Sequence, residues 1–380
     1  MRNLIKRLRK NRYDYSPLIE ITINRSHLLN NINIYKQAFW GLKIAPVLKS
    51  NAYGHGLTEI ASILKDDPSI PFFTVDTYFE AISLRNAGID KNILIMGYTP
   101  IHTIEKNILK DITFMIGDLK VLKDLYSGVK QKISIHVKID TGMHRQGIDA
   151  SKINEIFEIV STNKNITIQG ICSHLSDADN SDQDFSKQQI MSWNKVVALF
   201  KDKIPHIKYF HLSNTAGHKY QKEIDANVSR LGIGLYGLDI MNSGFESKLK
   251  PVLSMKTVIG SIKEISSGDT VGYSNTFVAN KDMRLAVLPI GYYEGLDRRL
   301  SNIGYVSVNG KSCQIVGKIS MNISTIDISA IQNVDIGDEV LVISDRSSDK
   351  NSIDAMARLA QTIPYEITIH IPAYLKRSIV

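Results

Sequence analysis

The sequence predicts an α/β chain in which an N-terminal (β/α)8 barrel precedes a smaller, mostly antiparallel β domain. Apolar, strand-like runs alternate with helical patterns through roughly 230 residues, as a (β/α)8 barrel requires. Short alternating strands and glycine turns follow, among them Asn309-Gly310, a strong hairpin signal. The alternative is an open doubly wound sheet, but no G-x-G-x-x-G follows the first strand.

In chain order, apolar runs predict the strands of the barrel, each followed by a helical pattern. The runs span residues 18–23, 44–48, 71–75, 92–96, 112–116, 133–139, 166–172, 208–212 and 228–232. Helical spacing is clearest over 29–34, 57–64, 81–87, 153–160 and 188–200. In the second domain, strands are predicted over 258–262, 285–290, 305–308, 314–316, 323–328 and 340–343.

Composition suggests a soluble, cytoplasmic protein with three segments: a basic leader over 1–17, the barrel over 18–245 and the β-rich domain over 246–380. The boundary is expected at Asn242-Ser243-Gly244. The leader carries much of the net charge of +8, but no signal-peptide core follows it. A solvated leader is favoured over a nucleic-acid arm. No apolar run reaches the ~20 residues of a membrane span, and no pattern predicts a disulfide framework or a metal site.

The first candidate catalytic residue is Lys49, at the end of a buried strand. Desolvation lowers the pKa of a lysine ammonium, and the neutral amine is a Schiff-base nucleophile. A lone lysine at a strand end is more often simply solvated. The segment Lys49–Gly56, however, resembles the cofactor-lysine motif of the alanine racemase family. That resemblance implies that Lys49 carries pyridoxal 5'-phosphate and that Tyr53 binds its phosphate.

Further barrel segments resemble the motifs of the same family, in the same order. Lys138–Arg145 resembles K-x-D-T-G-M-x-R, which implies that Arg145 contacts cofactor and substrate carboxylate. It also implies that Lys138 is carbamylated and orients Arg145. His174 resembles the histidine that links the catalytic tyrosine to the arginine behind the pyridine ring. The turn at Asn214-Thr215 resembles the phosphate-binding turn.

Arg230-Leu231-Gly232-Ile233 resembles the segment whose arginine faces the pyridine nitrogen. Gly232 and Ile233 are then expected to donate N–H groups to the phosphate. Most pyridoxal enzymes place a carboxylate behind the ring and keep the nitrogen protonated. A guanidinium only donates, so it leaves that nitrogen unprotonated. A weaker electron sink favours reprotonation at Cα over transamination.

In the β domain, Tyr273 resembles the family's second base, which reaches the site from the partner subunit. Without that context, a half-buried packing tyrosine would be the ordinary interpretation. Tyr292 resembles a tyrosine at the substrate entrance, and Met321 one whose N–H holds the substrate carboxylate. The resemblance therefore implies a homodimer with composite sites and a small amino acid as substrate, without nucleic-acid or membrane partners.

Three positions depart from the family's pattern. Asn322 stands where an aspartate is usual, Ala373 where some members have a tyrosine, and Tyr374 at the usual arginine. A lost carboxylate and a lost phenol would leave a roomier, less anionic pocket. This predicts turnover of serine or larger side chains as an alternative, although a pocket difference of this size is worth only ~1–3 kcal/mol. Alanine remains the first choice.

The resemblance implies a pyridoxal-dependent racemase that interconverts L- and D-alanine by two-base proton transfer, with Lys49 and Tyr273 as the bases. D-Alanine would serve peptidoglycan. Three alternatives remain: a barrel protein of another activity, a pyridoxal-dependent basic amino-acid decarboxylase, and a single-domain cofactor carrier. The decarboxylases' cysteine-containing catalytic segment and multi-glycine loop are not found here, and a carrier has no β domain.

Overall fold

The structure is a computed structural model that describes residues 16–38, 41–180, 182–238, 245 and 248–380. Its strands are β1 (Glu20–Ile23), β2 (Lys43–Pro46), β3 (Phe73–Val75), β4 (Ile93–Ile95), β5 (Ile112–Ile116), β6 (Ile133–Asp140), β7 (Ile148–Asp149), β8 (Ile166–Cys172), β9 (Tyr209–His211), β10 (Val228–Leu231), β11 (Leu253–Val258), β12 (Ser261–Ile265), β13 (Thr270–Val271), β14 (Phe277–Val278), β15 (Met283–Leu288), β16 (Tyr305–Val308), β17 (Lys311–Gln314), β18 (Ser324–Asp327), β19 (Glu339–Ile343) and β20 (Arg377–Ile379).

The helices include one at the start of the barrel, those that connect its strands and two in the β domain. They are α1 (Arg25–Ala38), α2 (Leu57–Leu64), α3 (Tyr78–Asn86), α4 (Ile101–Glu105), α5 (Leu119–Gly128), α6 (Ile153–Val160), α7 (Asp184–Lys203), α8 (Ile353–Leu359) and α9 (Pro364–Ile369). Side-chain caps set several starts. Thr77 closes a capping box with Glu80 at α3, and Asp118 accepts from the Val121 N–H at α5.

Parallel strands close into the predicted barrel. The sheet runs β3-β4-β5-β6-β8-β9, and β10 pairs with β2 in parallel. A parallel bridge between Val47 and Thr74 joins β2 to β3, and the Asn227 N–H donates to the Phe210 carbonyl to join β10 to β9. Apolar side chains pack the core around these strands. In a barrel of this kind the functional groups lie at the carboxyl ends of the strands.

The β domain is mostly antiparallel, as predicted. Its larger sheet has the order β17-β16-β19-β11-β1-β20, and a smaller sheet has the order β12-β15-β18. Asn309 and Gly310 both have positive φ, 49° and 74°, and connect β16 to β17 as the hairpin signal indicated. Helices α8 and α9 also belong to this part of the chain, and the sequence pattern did not indicate them.

One strand lies elsewhere than predicted. The run at 18–23 was counted with the barrel, but β1 pairs antiparallel with β11 and parallel with β20. The alternation of Ile21 and Ile23 with polar residues suits a half-buried sheet strand, which explains the difference. The expected boundary at 242–244 and residues 1–15 of the leader lie outside the described residues.

Among the described residues, no helix combines the length and the hydropathy that crossing a membrane requires.

Candidate active site

Lys49 begins a turn of left-handed helix just beyond β2. Ser50, Asn51 and Ala52 have φ of 56°, 56° and 52° with ψ near those values, and Tyr53 continues at φ 54°. A left-handed turn costs roughly 1–2 kcal/mol per residue that carries a Cβ. Strain of this kind persists only where its surroundings hold it, and it is typical of functional sites.

Hydrogen bonds hold this turn in place. The Ala52 N–H donates to the Leu48 carbonyl at 2.7 Å, and the Ser50 N–H donates to Glu80 Oε1 at 2.7 Å. Asn51 Oδ1 accepts from the Leu57 N–H at 2.9 Å, which ties the turn to the start of α2. The lysine is therefore carried by a fixed backbone.

A cavity of about 350 Å³ opens beside Lys49 at the carboxyl ends of the barrel strands. Its lining includes the predicted residues Lys49, Lys138, Arg145, His174 and Arg230, and also Gln146 and His211. A second cavity of about 500 Å³ adjoins it and shares the Arg145 and Gln146 walls. The volume of the first suits a small-molecule site.

Arg230 is buried and makes five hydrogen bonds through its two terminal nitrogens. Nη1 donates to His211 Nδ1 at 2.6 Å and to the His211 carbonyl at 2.8 Å. Nη2 donates to the carbonyls of Ser173 (2.8 Å) and Leu212 (3.0 Å) and to His174 Nδ1 at 3.0 Å. Among the described residues, no hydrogen bond of Arg230 uses its Nε–H group, so this group is left for a ligand. Burial lowers the pKa of Arg230, but a ring of acceptors keeps the guanidinium protonated.

Two buried histidines extend this network into the barrel. His211 Nε2 lies 2.8 Å from His136 Nδ1. Because His211 Nδ1 accepts from Arg230, its Nε2 carries the hydrogen and donates to His136. Burial lowers the pKa of His136 to about 3, and burial together with Arg230 lowers that of His211 well below its usual range. Both rings are therefore neutral.

His174 is also neutral, since burial and then Arg230 lower its pKa well below the ordinary value. Its Nδ1 accepts from Arg230, so its Nε2 carries the ring hydrogen. Burial likewise lowers the pKa of Lys138, and Arg230 and Arg145 lower it further. Lys138 Nζ has Gln146 Oε1 at 3.5 Å.

A second group of predicted residues meets next to Arg230. Thr215 Oγ1 accepts from the N–H groups of Gly232 (3.2 Å) and Gly234 (3.4 Å). A Cβ on Gly232 would lie 2.8 Å from the Tyr53 hydroxyl, so a larger residue there would displace the end of the Tyr53 side chain. Ile233 begins a 3-10 turn over Ile233–Tyr236. These hydroxyl and N–H groups form a small polar cradle. Asn214 directly precedes Thr215, and its Oδ1 accepts from the Gly217 N–H at 2.8 Å.

The β-domain residues are not brought to this cavity within one chain. Tyr273, Tyr292 and Met321 are 69%, 42% and 55% exposed, and within the described parts of the chain the cavity lining is drawn from the barrel alone. Lys318 Nζ donates to Ser274 Oγ at 3.0 Å, which links the loops of Tyr273 and Met321. The candidate site is thus divided between a buried half and an exposed half.

Sequence reasoning assigned no role to His211 and did not single out His136 or Gln146. A signal was available for His136, because it precedes Lys138 by two residues on β6. Residues two apart on a strand point to the same face. Gln146 follows Arg145 directly and was visible only as part of the loop.

Comparison with known proteins identifies the class. The chain matches the model for "Alanine racemase, N-terminal domain" over residues 23–239 and that for "Alanine racemase, C-terminal domain" over residues 252–379. These matches cover both domains and define a two-domain barrel racemase. Among curated relatives, "Alanine racemase 2" of Caldanaerobacter subterraneus subsp. tengcongensis is 33% identical over 91% of each chain.

Solved structures agree with this assignment. Alanine racemase of Clostridium difficile 630 aligns with a TM-score of 0.88 and 27% identity over 97% of each chain. The fold is shared by an alanine racemase of Bartonella henselae described "with covalently bound pyridoxal phosphate", with a TM-score of 0.85 and 24% identity over 96% of this chain and 100% of that one. The chain belongs to the alanine racemase family and is an enzyme of that family.

Proposed function

We propose that this enzyme interconverts L- and D-alanine in a homodimer, with Lys49 on one face of the substrate and Tyr273 of the partner subunit on the other. One observation carries the proposal: the cavity holds a lysine and a guanidinium on rigid supports, while the expected second base is 69% exposed on another domain. A second copy that presents Tyr273 would complete the site, and C2 dimers favour such reciprocal contacts.

The residues present fit pyridoxal 5'-phosphate. Its phosphate suits the cradle of Tyr53, Thr215 and Gly232, where a Cβ would intrude, and Asn214 and Ile233 shape its edges. Lys49 provides the amine, and Arg230 Nε is left to donate to the ring nitrogen. When bound, this cofactor withdraws electron density from the substrate Cα.

Arg230 sets how strong that withdrawal is. A guanidinium has donors and no acceptor, so it cannot receive a proton from the pyridine nitrogen or share one with it. The contacts of Nη1 and Nη2 hold the group in a single orientation. A weakened electron sink favours return of the proton to Cα, which is what a racemase requires.

His174 supports the proton transfer at Tyr273 of the partner subunit. A phenol has a pKa near ~10, so it needs stabilisation to act as a base near neutrality. His174 Nε2 carries a hydrogen because its Nδ1 accepts from Arg230. That hydrogen can be donated to the phenolate oxygen, with the positive charge of Arg230 directly behind it.

Binding of the substrate carboxylate is assigned to Arg145 and to the Met321 N–H of the partner subunit, with Tyr292 of the partner subunit at the entrance. Lys138 orients Arg145 as a carbamate. The lowered pKa of Lys138 favours the neutral amine, which adds CO2 and releases one proton. An intact mass 44 Da above that of the plain chain supports this step, and an unmodified mass under CO2 removes it.

The decisive experiment mixes two inactive variants, Lys49→Ala and Tyr273→Phe. In a mixed dimer, one site combines the intact lysine of one chain with the intact tyrosine of the other, and the second site lacks both. Random exchange should restore about a quarter of wild-type racemisation, as the symmetry of a C2 dimer dictates. Each variant alone is the control, and a mixture no more active than its parts would refute the composite site.

Substrate and reaction class are tested on the wild type. With L-alanine and cofactor in heavy water, a racemase exchanges the Cα hydrogen and loses optical rotation. A decarboxylase releases CO2 instead, and a carrier does neither. The kcat/KM ratio of alanine to serine separates an alanine enzyme from one of broader specificity. Supply of D-alanine to peptidoglycan is the role proposed in the cell.

A further inference from the structure

Two loops of the β domain are joined into one unit. The first, residues 291–295, follows β15, and the second, residues 317–323, precedes β18. The Tyr292 N–H donates to the Ser320 carbonyl at 3.1 Å, and the Tyr293 N–H donates to the Met321 carbonyl at 2.9 Å. A Cβ on Gly291 would lie 2.2 Å from the Ser320 carbonyl oxygen, so the backbones are in close contact. The two loops are therefore held against each other.

A buried carboxylate lies at the centre of this junction. Glu294 is 8% exposed. Its Oε1 accepts from Asn322 Nδ2 at 2.6 Å, and its Oε2 accepts from the Gly291 N–H at 2.9 Å. Each oxygen thus has a donor, one from each loop. An ionised carboxylate only accepts, so the residue facing Oε1 must be a donor.

We propose that Asn322 is a positioning residue that holds the Tyr292 and Met321 loops together through Glu294. The asparagine was expected to make the pocket less anionic toward the substrate. The amide instead donates to a carboxylate of its own domain. The inference rests on the proposed function, because Tyr292 and Met321 reach a substrate only across the dimer.

This pairing gives the asparagine at position 322 a role inside its own domain. An aspartate there would set a second carboxylate against Glu294, and the repulsion between two carboxylates disfavours ionisation of both. The asparagine is matched to the glutamate, and it has no need to contact the substrate. Side-chain preference is then set elsewhere in the site.

A double-mutant cycle tests this pairing. Asn322→Asp should raise the KM for alanine by on the order of tenfold with a smaller change in kcat, in the range of coupled hydrogen-bonding pairs. Glu294→Gln alone should be mild, because the Asn322 amide can turn to accept. The double variant Asn322→Asp/Glu294→Gln reverses the bond, with the new amide as donor and the new carboxylate as acceptor. It should recover KM to within about threefold of wild type.

The control is Asn309→Asp, which makes the same charge change in an exposed hairpin turn and should alter nothing. Recovery of both KM and the thermal midpoint of the cofactor-free dimer in the double variant supports the proposal. A double variant no better than Asn322→Asp, or a single variant that changes the alanine-to-serine ratio and leaves KM for alanine unchanged, overturns it. If the wild type does not racemise alanine, the proposed function fails, and the thermal cycle alone decides the pairing.

Discussion

The barrel mouth and the outer face of the β domain carry the two halves of the proposed site in opposite ways. In the barrel, Arg230 is buried and held by five hydrogen bonds. On the β domain, Tyr273 is 69% exposed. Folding of a single chain forms the buried half, whereas the side chains of the exposed half lie on the surface of that chain. Substitutions in the first should therefore change stability and activity together, and substitution of the exposed Tyr273 side chain should change activity alone.

The largest effect is expected from Tyr273→Phe. Loss of a positioned acid/base lowers the rate by about 10²–10⁴-fold, in at least one direction of racemisation. The unfolding midpoint in urea should not change, because most of the side chain is in solvent within one chain. Polarimetry from both L- and D-alanine measures the rate. Tyr305→Phe, at a half-buried tyrosine of β16, is the control and should retain activity.

Arg230→Leu should cost about 3 kcal/mol or more of unfolding free energy. Several buried acceptors lose their donor, each at roughly 1–3 kcal/mol. Urea unfolding of the cofactor-free chain measures the loss, and Arg346→Leu, at an exposed arginine, serves as the control. An unchanged free energy of unfolding in Arg230→Leu would contradict the division between a buried half and an exposed half.

A lower pH should reduce the free energy of unfolding through the buried histidines of the barrel. The folded-state pKa of His136 is about 3, below the ordinary 6.5, so the unfolded chain binds the proton more tightly. Its contribution is complete above pH 6.5 and is lost as the pH falls toward 3. Between pH 6.5 and 5 this amounts to about 2 kcal/mol. His55, with a pKa lowered by burial to about 4, acts in the same direction.

Guanidinium unfolding at several pH values between 8 and 5 measures this loss. His136→Phe should flatten the dependence, whereas His206→Gln, at an exposed ring, should leave it as it is. If the free energy of unfolding of the wild type stays constant as the pH is lowered from 6.5, these rings are protonated in the folded chain.

The smallest effect is expected from Gly232→Ala. The added methyl would approach the Tyr53 hydroxyl at 2.8 Å, and the flexible end of that side chain can give way. Affinity for pyridoxal phosphate should fall by about tenfold or less, equivalent to roughly 1 kcal/mol. Titration followed by cofactor absorbance measures it. Gly128→Ala, which meets only a glutamate oxygen at 3.5 Å, should bind normally.

The sequence was most informative where one local rule acts alone. Apolar runs that alternate with helical patterns predicted the barrel. Asn309-Gly310 predicted the hairpin of the β domain, because both residues accept positive φ. The sequence was least informative where contacts from distant segments determine the local conformation. The left-handed turn after Lys49 is imposed on ordinary residues by Glu80 and Leu57, which no local propensity indicates.

The site divides in the same way. Motif resemblance pointed to Lys49 and Arg230, and the structure places both on one cavity. The chain of neutral rings through His211 to His136 depends on strands that meet only in the closed barrel. The pairing of Glu294 with Asn322 joins residues 28 apart, and at the sequence level the asparagine suggested a pocket effect. Donor and acceptor matching is a property of three-dimensional neighbours.

The two ends of the described chain meet in one sheet, where β1 lies between β11 and β20. The Arg377 guanidinium on β20 donates to the Gly54 carbonyl at 2.8 and 3.0 Å, directly after the left-handed turn. The support of the lysine is therefore complete only once β20 has formed beside β1. If the chain were divided between its two domains, the barrel would lack the Arg377 brace and the β domain would lack β1. Deletion of residues 377–380 should therefore remove this brace from the turn that carries Lys49.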